Sequence, residues 1–407
     1  MNSTGARFLD RGTPPALITL ILVTSLSVLS MNAFIPSLPA LAADLNADYA
    51  FIQLAVSGYL GVTALMQLFI GPLSDRYGRR PVILGGFVIF LFASIACALA
   101  PNAEFFMVFR MIQAAVATGM VLSRAIVRDM YEGPKAASMI GYMTAAMALV
   151  PMAAPLYGGF MEATLGWRST FFSFVGFAVL IIALAWMDLG ETNKTRNASF
   201  AAQFKQYPGL FGARRFWGYT ATAAFASGSF FALLGGGPYV AREILGLSPQ
   251  MTGVYLGVIS SGYLLGNLAT GRFAGRVGVN RMMLIGSLIA TIGMTVGLLV
   301  NLAGATHPFA VFGFAIFVGL GNGLTLPSAT TGLMSVRPEL AGSASGLGAA
   351  MMIGGGAALS AITGALLSPT SGATPLLAMM ALSAVFSLFT TLYVIARARA
   401  VGADQAS

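Results

Sequence analysis

Charged residues are scarce in this chain of 407 residues, since only 9% are Asp, Glu, Lys or Arg while 57% are hydrophobic. A soluble domain carries about 25% charged residues because its surface must be solvated. This scarcity excludes an ordinary soluble protein and indicates that most of the chain faces lipid or other apolar helices. A helix crosses the hydrocarbon layer with about 20 apolar residues, so the length of the chain translates into a number of membrane spans.

Histidine and cysteine occur once each, as His307 and Cys97. A single cysteine excludes a disulfide framework, and one histidine beside it leaves too few ligands for a His–Cys metal site. The acids are not clustered, so a membrane-embedded enzyme is disfavoured, and we expect neither a metal nor a cofactor. The net charge of +9 comes from short basic clusters between apolar runs, which membrane topology explains better than a nucleic-acid partner does.

Apolar runs separated by Gly, Pro or charged residues predict twelve transmembrane helices. The alternating short strands of a membrane barrel are not seen. The first run is too long for the 7–15-residue apolar core of a cleaved secretory signal, so we expect it to remain as a helix. The runs lie near 16–41, 50–71, 81–100, 104–127, 137–161, 168–188, 216–240, 250–270, 282–303, 309–333, 342–366 and 375–396.

The distribution of Lys and Arg predicts the orientation of the chain. With both termini in the cytoplasm, 18 of the 22 basic residues fall on the inner side. Only Arg168 and Arg242 then lie outside, while Arg110 and Arg124 lie within the fourth span. This excess of inner positive charge is the pattern of the positive-inside rule.

The longest polar separator, 189–215, divides six spans from six. On either side of it, the sequence Gly71–Pro81 has a degenerate echo in Gly271–Arg281. Related halves with a site between them are a design of secondary transporters. We therefore predict an all-α membrane protein with two pseudo-symmetric six-helix bundles, at 1–188 and 216–407, joined by a cytoplasmic loop.

The loop sequence Gly71-x-Leu-x-Asp-Arg-x-Gly-Arg-Arg80 closely resembles the cytoplasmic loop signature of the major facilitator superfamily. Its glycines permit a tight turn, and Asp75 is an acid among arginines and should be ionised and paired. Such a latch can hold one conformation of two rocking halves, although the arginines could equally anchor the loop. The predicted gate consists of Gly71, Asp75, Arg76, Gly78, Arg79, Arg80 and, from the fourth span, Asp129.

An arginine within a span is costly and therefore a functional candidate. Arg110 and Gln113 resemble the fourth-helix motif of the superfamily, and with Arg124 they are the predicted coupling residues. The alternative for Arg110 is a side chain that extends to the outer face. Arg124 and Arg128 share a helix face and form either a gate or a solvated helix end.

The fifth span resembles the helix motif of antiporters at Pro151, Pro155, Gly158 and Gly159, with Ala154 in place of the usual glycine. Proline bends a helix, and a glycine pair lets another helix approach closely. An ordinary kinked helix is the alternative.

Three further segments, at Asn32–Pro39, Gly166–Arg168 and Gly236–Tyr239, resemble the bacterial Bcr/CflA-type multidrug exporters. This resemblance implies proton antiport in the bacterial cytoplasmic membrane, with the proton as coupling ion. In that group the first-helix motif carries aspartate, whereas this chain has Asn32. None of the 13 acids is expected at mid-span, so our hypothesis is that coupling runs through Asp129 or Asp75.

The predicted function is export of drug-like amphiphilic molecules by a monomer surrounded by membrane lipid. A pocket rich in rings and poor in charge suits neutral or weakly charged compounds. A facilitator for a sugar or amino acid is the alternative. The predicted substrate-binding residues, chosen as polar, aromatic or Met side chains within spans, are Asn32, Phe34, Tyr59, Tyr142, Met147, Phe231, Tyr255 and Asn322.

Overall fold

A computed structural model describes residues 7–131, 139–140, 142–143, 146–147, 149–193, 207–337 and 340–400. Within these ranges the elements are all helical and no strand is present. The long helices are α1 Leu17–Asp44, α2 Tyr49–Tyr77, α3 Arg79–Ala98, α4 Ala103–Met130, α5 Val150–Leu165, α6 Trp167–Asp188, α7 Arg214–Tyr239, α8 Pro249–Val277, α9 Val279–Leu302, α10 Pro308–Ser335, α11 Ala341–Leu366 and α12 Thr374–Ala400.

Nine of these helices are long and apolar enough to cross a membrane, counted over the described residues. The others are α5, α7 and α8, of which α7 and α8 coincide with predicted spans. The predicted beginning of the fifth span, from residue 137, lies partly outside the described ranges. The all-helical membrane fold is confirmed, and the domain boundaries stay a prediction because residues 194–206 of the central loop are also outside those ranges.

Helices α2 and α8 repeat one design 200 residues apart. Each has 29 residues and a side-chain cap at its start, from Asp48 in one case and Ser248 in the other. Each ends at a glycine with a left-handed backbone, with φ of 100° at Gly78 and 86° at Gly278. Only glycine adopts such a φ readily, so α3 and α9 begin immediately after the turn. This repeated geometry supports the echo found in the sequence.

The same turn corrects one prediction. The signature Gly71–Pro81 was expected to be a loop, but α2 continues to Tyr77 and only Gly78 separates it from α3. The prediction ended the span where charged residues begin. The helix continues because its backbone hydrogen bonds do not require apolar side chains.

Packing divides the helices into a first set, α1–α6, and a second set, α7–α12. In the first set α3 packs on α6 and α1 on α4, and in the second set α8 and α9 pack on α10 while α7 packs on α11 and α12. The main contacts between the sets are α2 with α11 and α5 with α8. We call the side of the molecule that contains Asp75 the Asp75 end, and the opposite side the Glu162 end.

Candidate transport pathway and its charged gates

At the Asp75 end, one arginine joins three helices of the first set. The Arg79 guanidinium at the start of α3 lies 2.5 Å from Asp75 Oδ1 on α2, and its Nε lies 3.1 Å from Asp129 Oδ2 on α4. The structure therefore brings together three of the five charged members of the predicted gate, namely Asp75, Arg79 and Asp129. All three belong to the first set, so this cluster does not bridge the two sets.

A third acid, Glu191, which was not among the predicted gate residues, also lies at the Asp75 end. The Glu191 carboxylate accepts hydrogen bonds from the backbone N–H groups of Arg79, at 2.9 Å, and Arg80, at 3.3 Å. An anion at a helix N-terminus is stabilised by the helix dipole. A Cβ on Gly78 would lie 2.3 Å from Glu191 Oε2, so Gly78 is required for this contact as well as for the turn.

The remaining arginines of the signature have other partners. The Arg80 guanidinium lies over the Trp186 ring, 4.7 Å from its centroid, and donates to the Trp186 carbonyl. Arg76 is exposed and lies over the adjacent Tyr77 ring. The contacts of Arg76 and Arg80 therefore favour the interpretation in which these arginines anchor the helix ends over the one in which they pair with acids.

Arg110 is completely buried and does not extend to the outer face. It donates from Nε to the Ala55 carbonyl at 3.3 Å, from Nη2 to the Ser30 carbonyl at 3.1 Å and from Nη1 to Gln113 Oε1 at 2.6 Å. Neutral acceptors thus satisfy the guanidinium, and no carboxylate of the described residues contacts it.

Two aromatic rings enclose the same guanidinium. The centroids of Phe34 and Tyr59 lie 4.1 Å and 4.0 Å from Arg110 Cζ, which is a favourable cation–π geometry. Asn32, two residues before Phe34, is also buried. Its Nδ2 donates to the Val28 carbonyl, and its Oδ1 has no hydrogen-bond partner among the described residues.

Two adjoining cavities of about 270 and 310 Å³ lie between the helix sets at the Asp75 end. Both are lined by Arg124 and Arg128 of α4 and by Met352 of α11. The smaller one extends to Asp75 and Arg79, and the larger one to α7, α8 and α10. The structure thus places Arg124 at the cavities between the sets, and its predicted role in coupling stays a prediction.

The glycines of α5 allow contact on two sides. A Cβ on Gly158 would lie 1.5 Å from the Ala33 carbonyl oxygen of α1, and one on Gly159 would lie 2.4 Å from the Pro249 carbonyl oxygen of α8. From the other side, a Cβ on Gly253 of α8 would lie 2.4 Å from the Pro155 carbonyl oxygen. Close backbone approach, which the sequence predicted for α5, therefore occurs both within the first set and between the sets.

An ion pair between the two sets closes the Glu162 end. Glu162 Oε1 on α5 lies 2.8 Å from Arg242 Nη1, which follows α7, and the Glu162 side chain is only 5% exposed. Glu162 Oε2 and the Ser37 hydroxyl are both buried without a hydrogen-bond partner among the described residues.

The sequence contained a signal for this pair. Only two arginines, Arg168 and Arg242, were assigned to the outer side, and in the structure each of them pairs with an acid. Arg168 pairs with Asp44, and Arg242 pairs with Glu162.

Neutral polar contacts reinforce the same closure. Gln53 Nε2 on α2 donates to the Ser360 carbonyl of α11 at 2.9 Å, and the Tyr49 hydroxyl donates to the Gly235 carbonyl of α7 at 3.2 Å. The Tyr49 and Tyr239 rings also pack together, with centroids 4.8 Å apart. The two sets are therefore in contact at the Glu162 end and separated by cavities at the Asp75 end.

The predicted substrate-binding residues line neither of these cavities. Phe34 and Tyr59 enclose Arg110, as described above. Tyr142 is 62% exposed, and the other members of the group are buried or half-buried in helix contacts. Their role in binding stays a prediction.

Comparison with known proteins identifies the family. The sequence model of the Major Facilitator Superfamily matches residues 20–361. The chain belongs to this superfamily. It is therefore a membrane transporter for small molecules rather than an enzyme.

Relatives agree with the Bcr/CflA-type resemblance. The chain is 32% identical to the uncharacterized MFS-type transporter YdgK of Bacillus subtilis (strain 168), covering 79% of this chain and 81% of the relative. It is 34% identical to a chloramphenicol resistance protein of Pseudomonas aeruginosa, over 62% and 59% of the two chains. It is 26% identical to a bicyclomycin resistance protein homolog of Haemophilus influenzae, over 93% and 97%.

A solved structure confirms the fold. A bacterial homolog of the human lysosomal transporter Spinster, in an inward-facing and occupied conformation, superposes with a TM-score of 0.72 at 18% identity. The match covers 94% of this chain and 96% of the other.

Proposed function

We propose that this transporter exports drug-like amphiphilic molecules by alternating access, in exchange for protons. The observation that carries the proposal is the asymmetry between the two ends, with cavities at the Asp75 end and direct contact between the helix sets at the Glu162 end. The positive-inside rule predicts that the Asp75 end faces the cytoplasm. In that orientation the molecule is in the state that receives cargo from inside.

The cargo class is supported by two observations. Relatives carry the names of chloramphenicol, bicyclomycin and multidrug resistance proteins. The larger cavity has a volume of about 310 Å³ and is lined by tyrosines, methionines and few charged groups. A cavity of this size and composition suits a drug-sized amphiphile, whereas a sugar requires more polar partners.

For coupling, we propose that Asp129 exchanges between Arg79 and a proton. Asp129 is part of the three-helix cluster, and its side chain is 24% exposed at the Asp75 end, so a proton can reach it from that side. Protonation removes the negative charge that holds Arg79. The cluster then loosens as the sets move. The other predicted coupling residues, Arg110, Gln113 and Arg124, lie on α4 together with Asp129.

The test is energised accumulation of radiolabelled chloramphenicol by everted membrane vesicles that contain the transporter. We expect accumulation that an uncoupler abolishes and that Asp129→Asn lowers at least tenfold. Asp44→Asn is the matched control, because Asp44 also pairs with an arginine but at the opposite end.

Accumulation that survives the uncoupler would refute proton coupling. A sugar and an amino acid serve as the comparison cargo. If the vesicles take up the sugar or the amino acid and not the drug, the facilitator function would be correct and drug export would be wrong.

A further inference from the structure

Two arginines of α4 give the central cavities an excess of positive charge. Arg124 and Arg128 are four residues apart, share one face of the helix and line both cavities. Arg124 lies six residues before the end of α4, about 9 Å along the helix axis. It is half-buried, while Arg128 is exposed. The pair thus extends from the mouth of the cavity towards its interior.

No acid of the described residues neutralises this pair. At the Asp75 end, Asp75 and Asp129 both bind Arg79. Glu191 accepts from two backbone N–H groups at the start of α3, and Asp188 accepts from the N–H groups of Leu9 and Ala16. Like charges four residues apart on a helix repel each other, so a bound anion relieves a repulsion that the described residues leave in place.

The rest of the larger cavity is suited to an apolar body. Tyr219, Tyr263 and Met352 supply ring and thioether surface, and Asn267 adds a polar group. Adaptable surfaces of this type accept ligands of different shapes. One wall is therefore cationic and the others are mainly apolar, which is the complement of an acidic amphiphile.

We infer that the preferred cargo carries an acidic group, such as a carboxylate or sulfonate, which binds between Arg124 and Arg128 while its apolar body contacts the tyrosines and Met352. The inference rests on the proposed export function and specifies the substrate class of the same site. Arginine recognises carboxylates through paired, charge-assisted hydrogen bonds. Cationic drugs are disfavoured because both arginines repel them.

The test compares an acid with its neutral ester on the purified full-length protein in non-ionic detergent. Nalidixic acid and its ethyl ester share one ring system, and equilibrium dialysis measures the binding of each. We expect the acid to bind at least tenfold more tightly, with a preference that falls as salt rises from low to high ionic strength. Equal binding of acid and ester would overturn the inference.

Variants assign the preference to the two arginines. The double variant Arg124→Gln, Arg128→Gln should lose the preference, and Arg124→Lys, Arg128→Lys should keep most of it because the charges remain. Arg272→Gln is the control, since Arg272 is an exposed arginine at the end of α8 that lines neither cavity. A preference retained in the double glutamine variant would place the acidic group elsewhere and overturn the assignment.

Two further results separate the possible failures. If chloramphenicol accumulates in the everted vesicles but the acid shows no advantage, the export function stands and the inference falls. If neither drug nor acid is bound or transported, both fall. Displacement of the acid by phosphatidylglycerol, in an arginine-dependent manner, would assign the site to a lipid headgroup and overturn its role in cargo binding.

Discussion

The two ends of the molecule use ion pairs differently. At the Asp75 end, Arg79 links α2, α3 and α4, all of the first helix set. At the Glu162 end, Glu162 binds Arg242 across the boundary between the sets. A pair within one set can be kept when the sets separate, whereas a pair between the sets must break. In the alternating access that we propose, the contacts that change therefore lie at the Glu162 end, whereas the Asp75 cluster stabilises the first helix set.

The difference extends to the backbone. At the Glu162 end, Gly159 and Gly253 allow α5 and α8 to approach so closely that a Cβ would collide with a carbonyl oxygen. Small residues permit this approach in membranes, where packing rather than the hydrophobic effect drives helix association. Closure thus depends on both glycine packing and one buried ion pair.

Disrupting the close contact between α5 and α8 should have the largest effect on the closure of the Glu162 end. In Gly253→Ala, the new Cβ meets the Pro155 carbonyl at 2.4 Å, so the Glu162 end should open. Opening is measured as the rate at which a cysteine at position 37 reacts. The cysteine is introduced as Ser37→Cys in a Cys97→Ala background, and Ser37 is buried at that end. We expect at least tenfold faster labelling by a membrane-impermeant maleimide and a loss of drug accumulation.

Gly257→Ala provides the matched control for that prediction. Its Cβ would be 3.5 Å from the Met152 carbonyl oxygen, which is an ordinary contact. Labelling at the same rate in both alanine variants would show that glycine packing does not hold this end closed.

Neutralising the buried acid should have the next largest effect. Glu162→Gln leaves Arg242 without its charged partner, and breaking a buried pair from one side costs about 3–5 kcal/mol. Because Arg242 is 23% exposed, we expect the lower part of that range and a several-fold rise in Ser37→Cys labelling. The double variant Glu162→Gln, Arg242→Gln should label more slowly than the single one.

Asp44→Asn is the control for the ion pair. Asp44 and Arg168 are 46% and 40% exposed and both belong to the first set, and exposed pairs contribute only about 0–1 kcal/mol. If Asp44→Asn increased labelling as much as Glu162→Gln, the contrast between pairs within and between the sets would be wrong.

The smallest effect is expected from Glu191→Gln at the Asp75 end. The variant removes the negative charge at the start of α3, and such a charge contributes about 0.3–1 kcal/mol. We expect a slightly lower thermal midpoint of unfolding and no change in Ser37→Cys labelling. Faster labelling in Glu191→Gln would mean that the two ends are coupled through the first set.

The sequence predicted the helices because apolar runs and positive charge report directly on the bilayer. It also located Asp75, Arg79 and Asp129 together, since local spacing and a known motif place them at one membrane surface. The pairing of Glu162 with Arg242 was missed because it depends on how α5 rotates against the segment after α7, and hydropathy does not specify helix rotation.

Two of the predicted substrate-binding residues illustrate the same limit, although their role in binding stays a prediction. Phe34 and Tyr59 were selected as pocket residues because they are aromatic side chains within spans. In the structure they enclose Arg110. Residue type indicated what these side chains can bind, but only the packing shows that their partner is a protein cation.

The hydrogen bonds that Asp188 accepts from Leu9 and Ala16 have a consequence for biosynthesis. Asp188, the last residue of α6, is completely buried and accepts hydrogen bonds from Leu9 and Ala16, which precede α1. The segment before α1 can therefore form these hydrogen bonds only after α6 has been synthesised. At about 5–20 residues per second, roughly 2 to 10 seconds of translation separate Asp188 from the end of α7. The first helix set can therefore close into its final form while the ribosome is still producing its counterpart.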